Sequence, residues 1–273
     1  MRHSKQAVAP YIILSIIGVL FILPLLWVVV ASFDSGAGEV LRRPEGLTVS
    51  NFGSVFADPQ NLKAFRNSFI IAGGQAIFVV VLAGIASYPL SRFRMKHKQV
   101  FMLSMLLMTS LPITAIMVPV YKMFLNFNLY DHLGGVMLFM IASALPYGIW
   151  LMKNFMDGVP IELEEAAWVD GATTLQSIRH IVIPLMLPGV CTVAIFTFSG
   201  SWGNFFVPYI LLNSADKLPA AVKLYQYFGM HGMVAYGELA AFSVTYTIPS
   251  VILYVISQKF MSGGFTLAGG AKG

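Results

Sequence analysis

NSFIIAGGQAIFVVVLAGIASYPLSRFRMKHK, residues 67–98, decides the fold. Its first 25 residues, 67–91, contain no Asp, Glu, Lys or Arg. Its remainder carries Arg92, Arg94, Lys96 and Lys98 and no acid. About 20 apolar residues coiled as helix cross the ~30 Å hydrocarbon core of a bilayer. Helix is the default there, because backbone amides find no water to bond. A basic run directly after such a stretch marks its cytoplasmic end.

The same pattern recurs along the chain. Charged residues are also absent from 6–33, 99–121, 132–152, 180–215 and 239–258. These windows predict six spanning helices, with cores at 11–31, 69–90, 100–120, 134–152, 185–207 and 239–258. An even count puts both termini on one side. Arg2 and Lys5 at one end, and Lys259 and Lys272 at the other, make that side cytoplasmic. The first outer loop, 33–66, balances Arg42, Arg43, Lys63 and Arg66 against Asp34, Glu39, Glu45 and Asp58. The apolar run from Tyr11 to Ala31 is long for a signal peptide, so a retained helix is expected. Pro184, Pro188 and Pro208 are expected outside the straight part of the fifth span. Residues 224–237 read as an outer loop or interfacial helix. Gly73, Gly74, Gly84, Pro89, Pro112, Pro119 and Pro146 read mainly as helix-packing positions.

Composition agrees with the membrane reading. Hydrophobic residues make up 57% and charged residues 11%, against about 25% charged in ordinary soluble domains. That excludes a soluble enzyme, a disordered regulator and a nucleic-acid binder. The net charge of +5 is spread too thinly to line a groove for phosphates. Cys191 stands alone, which excludes an internal disulfide and a Cys-based zinc site. His3, His97, His132, His180 and His231 lack metal-ligand spacing, so no metal is expected.

One inner loop departs from the basic pattern. Between about Lys153 and Ile183, Asp157, Glu162, Glu164, Glu165 and Asp170 outnumber Lys153 and Arg179. Its grammar is two short helices and a turn. Pro160 suits a first helical turn, and Glu162, Glu164 and Glu165 suit a helix N-terminus. Leu163, Ala166 and Ala167 share a face. Asp170-Gly171 reads as the break, and Thr173 with Gln176 as a capping box. Leu175, Ile178 and Val182 form the stripe of a second helix. Two readings compete: an amphipathic hairpin on the membrane surface, or a docking element for a soluble partner. An acidic face suits the negative inner leaflet poorly.

Glu165-Ala166-Ala167, then Gly171, then Ile181-Val182-Ile183-Pro184 resembles the EAA motif of bacterial ABC importer permeases, with Ile183 where Leu is usual. The stretches 145–172, Pro112 and 118–121, Asn128-Leu129-Tyr130, and the Gly-rich end from Gly263 resemble the carbohydrate branch. That Gly-rich end is similar to the maltose-type second permease subunit, and together these likenesses cover roughly 65–273. Trp202-Gly203-Asn204-Phe205 departs from it by lacking the acid usual in this part of the fifth helix.

The resemblance implies an all-α polytopic protein with the type I ABC importer permease fold. Residues 1–64 are then the first helix and outer loop, and 65–260 the permease core with its coupling loop at 153–184. Residues 261–273 are a cytoplasmic tail. It implies a multi-pass protein of the bacterial inner membrane that imports a carbohydrate and is not itself an enzyme. Its implied partners are a second homologous permease, two ATP-binding subunits, an extracytoplasmic binding protein and membrane lipid, with no nucleic acid. No cofactor belongs to this chain; ATP and Mg are expected on the partner ATPase. Glu164, Glu165, Ala166, Ala167, Asp170, Gly171, Ile181 and Pro184 are the expected ATPase-coupling residues. Thr266, Gly270 and Lys272 are expected to reach the ATPase from the tail. Tyr121, Asn126, Tyr147, Trp202, Asn204 and Tyr209 are candidates for the substrate path by chemistry, with an interfacial aromatic belt as their competing reading.

The alternatives are a permease for a non-sugar solute and an ion-coupled secondary transporter. The second normally needs ionisable groups within the membrane, and these spans hold essentially none. The chain also lacks the Gly-x-x-x-x-Gly-Lys-Ser/Thr phosphate loop, so it is not the ATPase.

Overall fold

The computed structural model describes residues 3–40, 43–44, 46–228 and 234–269. Within them the chain is helical. In order the helices are α1 (His3–Ser32), α2 (Ser50–Ala57), α3 (Pro59–Arg92), α4 (Lys98–Thr109), α5 (Ile113–Asn126) and α6 (Leu133–Asp157). They continue as α7 (Glu162–Val169), α8 (Thr174–Ser177), α9 (Ile183–Trp202), α10 (Phe206–Leu211), α11 (Ala220–Gln226) and α12 (Tyr236–Gly269). A π-helical turn, Ile178–Val182, joins α8 to α9. Among the described residues the extended pairing is a single bridge, Asp34 to Leu47.

Five stretches are long and apolar enough to cross a membrane: Pro10–Ser32, Pro59–Arg92, Leu133–Asp157, Thr174–Trp202 and Tyr236–Gln258. The sixth is α4 with α5, which meet at 88°. A straight third span over 100–120 was the expectation, so the break is a correction. Pro112 causes it: it has no N–H to donate, and it disfavours helical dihedrals at Leu111. Its own backbone is extended, with ψ 122°. The fifth span is corrected too. Pro184 lies in the first turn of α9 and Pro188 inside it, both in the helix rather than outside. The helix ends at Trp202, ahead of the expected 207, and Pro208 sits in the separate α10. Part of 224–237 is helical, as the end of α11 and the start of α12; residues 229–233 lie outside the described residues.

The chain divides into two compact units, Met1–Leu62 with Lys223–Ile248, and Lys63–Val222 with Pro249–Gly273. In the first, α1 exposes side chains such as Tyr11, Leu14, Leu20 and Phe21, as a lipid-facing helix does. Polar ties hold its outer end. The Asn51 amide donates to the carbonyls of Ser32 and Asp34 at 3.1 and 3.0 Å. The Asn61 amide donates to the Val55 carbonyl and to the Tyr227 hydroxyl, both at 2.9 Å.

The second unit has two apolar clusters. One gathers Ile71, Met117, Phe124, Val136, Val207 and Leu211. The other gathers Val79, Ala83, Met152, Val182, Met186 and Val193 from α3, α6, the π-helical turn and α9. Close approach of helices requires small residues. A Cβ on Gly148 of α6 would lie 2.7 Å from Val79 Cγ1 of α3.

Candidate functional site

The inner loop folds as its sequence dictates. Glu162, Glu164 and Glu165 occupy the first turn of α7, where the helix dipole favours anions. The helix closes with a two-bond Schellman arrangement. Ala172 N–H donates to the Ala167 carbonyl at 2.9 Å, and Gly171 N–H to the Trp168 carbonyl at 3.1 Å. Gly171 has φ +88°, the left-handed region where glycine carries no Cβ penalty. Two residues on, Thr173 starts α8 with the expected capping box. Its Oγ1 accepts from Gln176 N–H at 3.3 Å, and its N–H donates to Gln176 Oε1 at 2.8 Å. The chain thus stops one helix and starts the next within four residues, 170–173, without a floppy link.

The loop is braced from within. Glu164 is fully buried, at 0% exposure, and Arg92 at the end of α3 is 7% exposed. Arg92 Nε donates to Glu164 Oε1 at 2.6 Å, and the Tyr88 hydroxyl donates to Oε2 at 3.0 Å. The same guanidinium donates to the Val159 carbonyl at 3.0 Å and to the Met156 carbonyl at 3.4 Å. Ser91 Oγ adds a 2.6 Å bond to Asp157, which also pairs with Lys153 at 2.5 Å. Every polar atom of the carboxylate has a partner, so the burial cost of the charge is offset.

Of the residues read as facing a partner, Glu164 therefore points inward and spends its charge on Arg92. Glu165, Ala166, Asp170, Gly171 and Pro184 are exposed, and Ala167 and Ile181 are half-buried. Apolar side chains join that outer face: Val169 is 87% exposed and Leu175 75%. Thr266 lies on the α12 backbone, while Gly270 and Lys272 lie outside the described residues.

Within the second unit, α3, α6 and α9 line a half-open cavity of about 280 Å³. Its polar lining is Gln75, Ser143, Tyr147, Thr197, Ser201 and Asn204. No lining residue is charged. Gln75 and Ser201 are buried, at 4% and 6% exposure. The Gln75 amide N–H donates to the Met140 carbonyl at 2.7 Å. Gln75 Oε1 and Ser201 Oγ have no hydrogen-bond partner among the described residues. A buried polar atom left unpaired costs about 1–3 kcal/mol.

The six path candidates separate here. Tyr147 and Asn204 line the cavity. Trp202 is buried instead, against Phe69 at 4.7 Å and Phe198 at 5.6 Å. Tyr121 packs edge-on to Tyr130 at 5.2 Å, Tyr209 stacks on Phe205 at 4.8 Å, and Asn126 is exposed at the end of α5. Gln75, Ser143, Thr197 and Ser201 escaped the sequence reading. Their signal was present, as uncharged polar residues inside charge-free windows.

At the opposite end of α6, Asp131 latches the α5–α6 turn. It accepts from the N–H groups of Asn213 (2.9 Å) and Ser214 (3.0 Å), the Ser214 hydroxyl, and Lys217 Nζ (2.9 Å). Burial would raise its pKa, but the Ser214, Asn213 and Lys217 bonds outweigh that and hold it well below the usual carboxylate range.

The braced inner loop sits in a helical body with five stretches, or six counting the bent pair, long and apolar enough to cross a membrane, the class of multi-pass membrane proteins. The fold is that of the type I importers: a solved bacterial ABC transporter that imports the acidic polysaccharide alginate matches with a TM-score of 0.82. It is 22% identical, covering 94% of this chain and 96% of that one. The chain belongs to the family of binding-protein-dependent transport system inner membrane components, whose pattern matches residues 77–263. It is 30% identical to the diacetylchitobiose uptake system permease protein of Streptomyces coelicolor, over 95% of this chain and 87% of that one. It is also 30% identical to the maltose/maltodextrin transport system permease protein of Vibrio vulnificus, over 93% and 92%. It is thus an inner-membrane, multi-pass transport subunit of a binding-protein-dependent ABC importer, and not itself an enzyme.

Proposed function

We propose that this chain is one of two related permeases in an importer for a carbohydrate, driven by a pair of partner ATPase subunits. ATP and Mg bind on those partners. An extracytoplasmic binding protein delivers the solute. The observation that carries the coupling half is the brace between Glu164 and Arg92. A docked ATPase pushing on the exposed face of α7 moves a helix already tied to α3 by a buried ion pair. Glu162, Glu165, Ala166 and the apolar Val169 form that face, Asp170 and Gly171 make the turn after it, and Leu175 of α8 is exposed as well. The tail residues Thr266, Gly270 and Lys272 add a second contact to the same partners. The carbohydrate half is supported by the two relatives named for saccharide uptake.

The test is uptake by the co-purified importer in proteoliposomes. Labelled maltotriose and diacetylchitobiose serve as probes, with ATP inside and ionophores added. Uptake that requires ATP and ignores ionophores is the expected result. Uptake that collapses with the ion gradient overturns the ATP-driven assignment.

A further inference from the structure

We infer that the half-open cleft where α3 ends and α4 begins binds the phosphate of an anionic membrane lipid, held by Arg94, Lys96 and Lys98. The site depends only on the chain's place in a membrane, not on the carbohydrate assignment. The cleft holds about 510 Å³, within the range of ligand sites, about 300 to 1,000 Å³. Its lining includes Arg92, Arg94, Lys96 and Lys98 and no acid.

A basic inner loop is ordinary after a spanning helix. What distinguishes this one is where its charges go. Arg92 turns inward to Glu164 at 2.6 Å. Asp157, which accepts from the Ser91 hydroxyl at 2.6 Å, is paired with Lys153. Arg94, Lys96 and Lys98 make no ion pair among the described residues. Like charges gathered on one cleft repel, and an anion between them removes that cost. The first turn of α4, at Lys98 and Gln99, has no side-chain cap from His97, so the positive end of the helix dipole adds to the same field.

Apolar side chains alternate with these cations. Phe93 and Met95 line the cleft and are exposed, and Val100 and Phe101 are exposed on the first turn of α4. A soluble anion leaves them bare to water. A lipid serves both kinds of side chain: its phosphate meets the cations at the interface, and its acyl chains meet the apolar groups. The cleft also reaches the brace. Phe93 packs edge-on to Tyr88 at 6.4 Å, and the Tyr88 hydroxyl donates to Glu164. A lipid seated there steadies the same end of α3 that holds the inner loop.

The test uses the whole purified importer in detergent, with Met95→Cys in a Cys191→Ser background. Labelling of this chain by an uncharged maleimide is followed. Phosphatidylglycerol is expected to slow it, and phosphatidylcholine or inorganic phosphate at the same concentration is not. Arg94→Gln, Lys96→Gln or Lys98→Gln should each raise the half-protecting lipid concentration about fivefold, and the three together should abolish protection. Equal protection by inorganic phosphate overturns the lipid as occupant. Equal slowing in the triple variant is an effect of bulk surface charge and overturns the site. Labelling that is blocked without lipid, and released when the ATPase subunits are stripped away, makes the cleft a subunit contact and overturns it too. A second measurement needs no cysteine. Phosphatidylglycerol should raise the thermal unfolding midpoint of the parent importer more than that of Arg94→Gln/Lys96→Gln/Lys98→Gln, and identical shifts in the two overturn the site.

Discussion

The inner loop and the membrane cavity both bury polar side chains inside the same unit, and they treat them oppositely. At the loop, Glu164 and Arg92 leave nothing unsatisfied: both carboxylate oxygens and the guanidinium fork are occupied by this chain. Beside the cavity, Gln75 Oε1 and Ser201 Oγ are buried with no partner among the described residues. Asn61, Asn67 and Ser177 also hold unpartnered buried atoms, but none of them lines that cavity. A saturated buried network fixes geometry, so it suits a part that transmits force. An unsaturated one keeps bonding capacity for something that comes and goes. The loop and the cavity thus differ in hydrogen-bond completeness as well as in charge.

The largest effect should come from breaking the saturated end. Arg92→Met leaves Glu164 buried without its counter-charge, a loss of about 3–5 kcal/mol. Thermal unfolding of the purified importer should show it, and Arg92→Met combined with Glu164→Leu should recover most of it. An Arg92→Met importer as stable as the parent removes the brace from the account. At the unsaturated end, Gln75→Leu should change stability by no more than about 1 kcal/mol, since one made bond and one unmade bond vanish together. Its uptake should nevertheless fall. A large stability loss at Gln75 would reclassify the cavity as packing.

Smaller effects probe the surroundings. Thr173→Ala removes the capping box and should cost about 1 kcal/mol. Asp131 gives a pH prediction. Its folded pKa is depressed, so its stabilising effect is present above the unfolded carboxylate value of about 3.9 and is lost only as pH falls below it. Between pH 7 and pH 4.5, roughly, replacing Asp131 by Asn should therefore shift stability by a constant amount. A difference that shrinks across that window would contradict the latch.

Much of this was legible in the sequence, for identifiable reasons. Charge is so costly in lipid that its absence alone marks the spans, and Gly171, Thr173 and Gln176 carry turn and cap chemistry that local rules decode. The break at Pro112 was missed because proline is common in packed membrane helices, and the sequence does not say which prolines bend the chain. The tie between Arg92 and Glu164 joins residues 72 positions apart. As letters, Arg92 is one more inner-face cation and Glu164 one more surface acid. The cavity was invisible to a search for missing charge, because glutamine, serine and threonine pass through that filter.

The most direct test is the ratio of maltotriose imported to ATP hydrolysed, in proteoliposomes carrying the parent importer or Gly171→Val. Valine at a positive φ costs about 1–3 kcal/mol and deforms the turn between α7 and α8 while leaving every spanning helix untouched. The account predicts a protein that stays in the membrane, hydrolyses ATP and imports little, so the ratio falls sharply. An unchanged ratio would show that energy does not enter this chain through the loop.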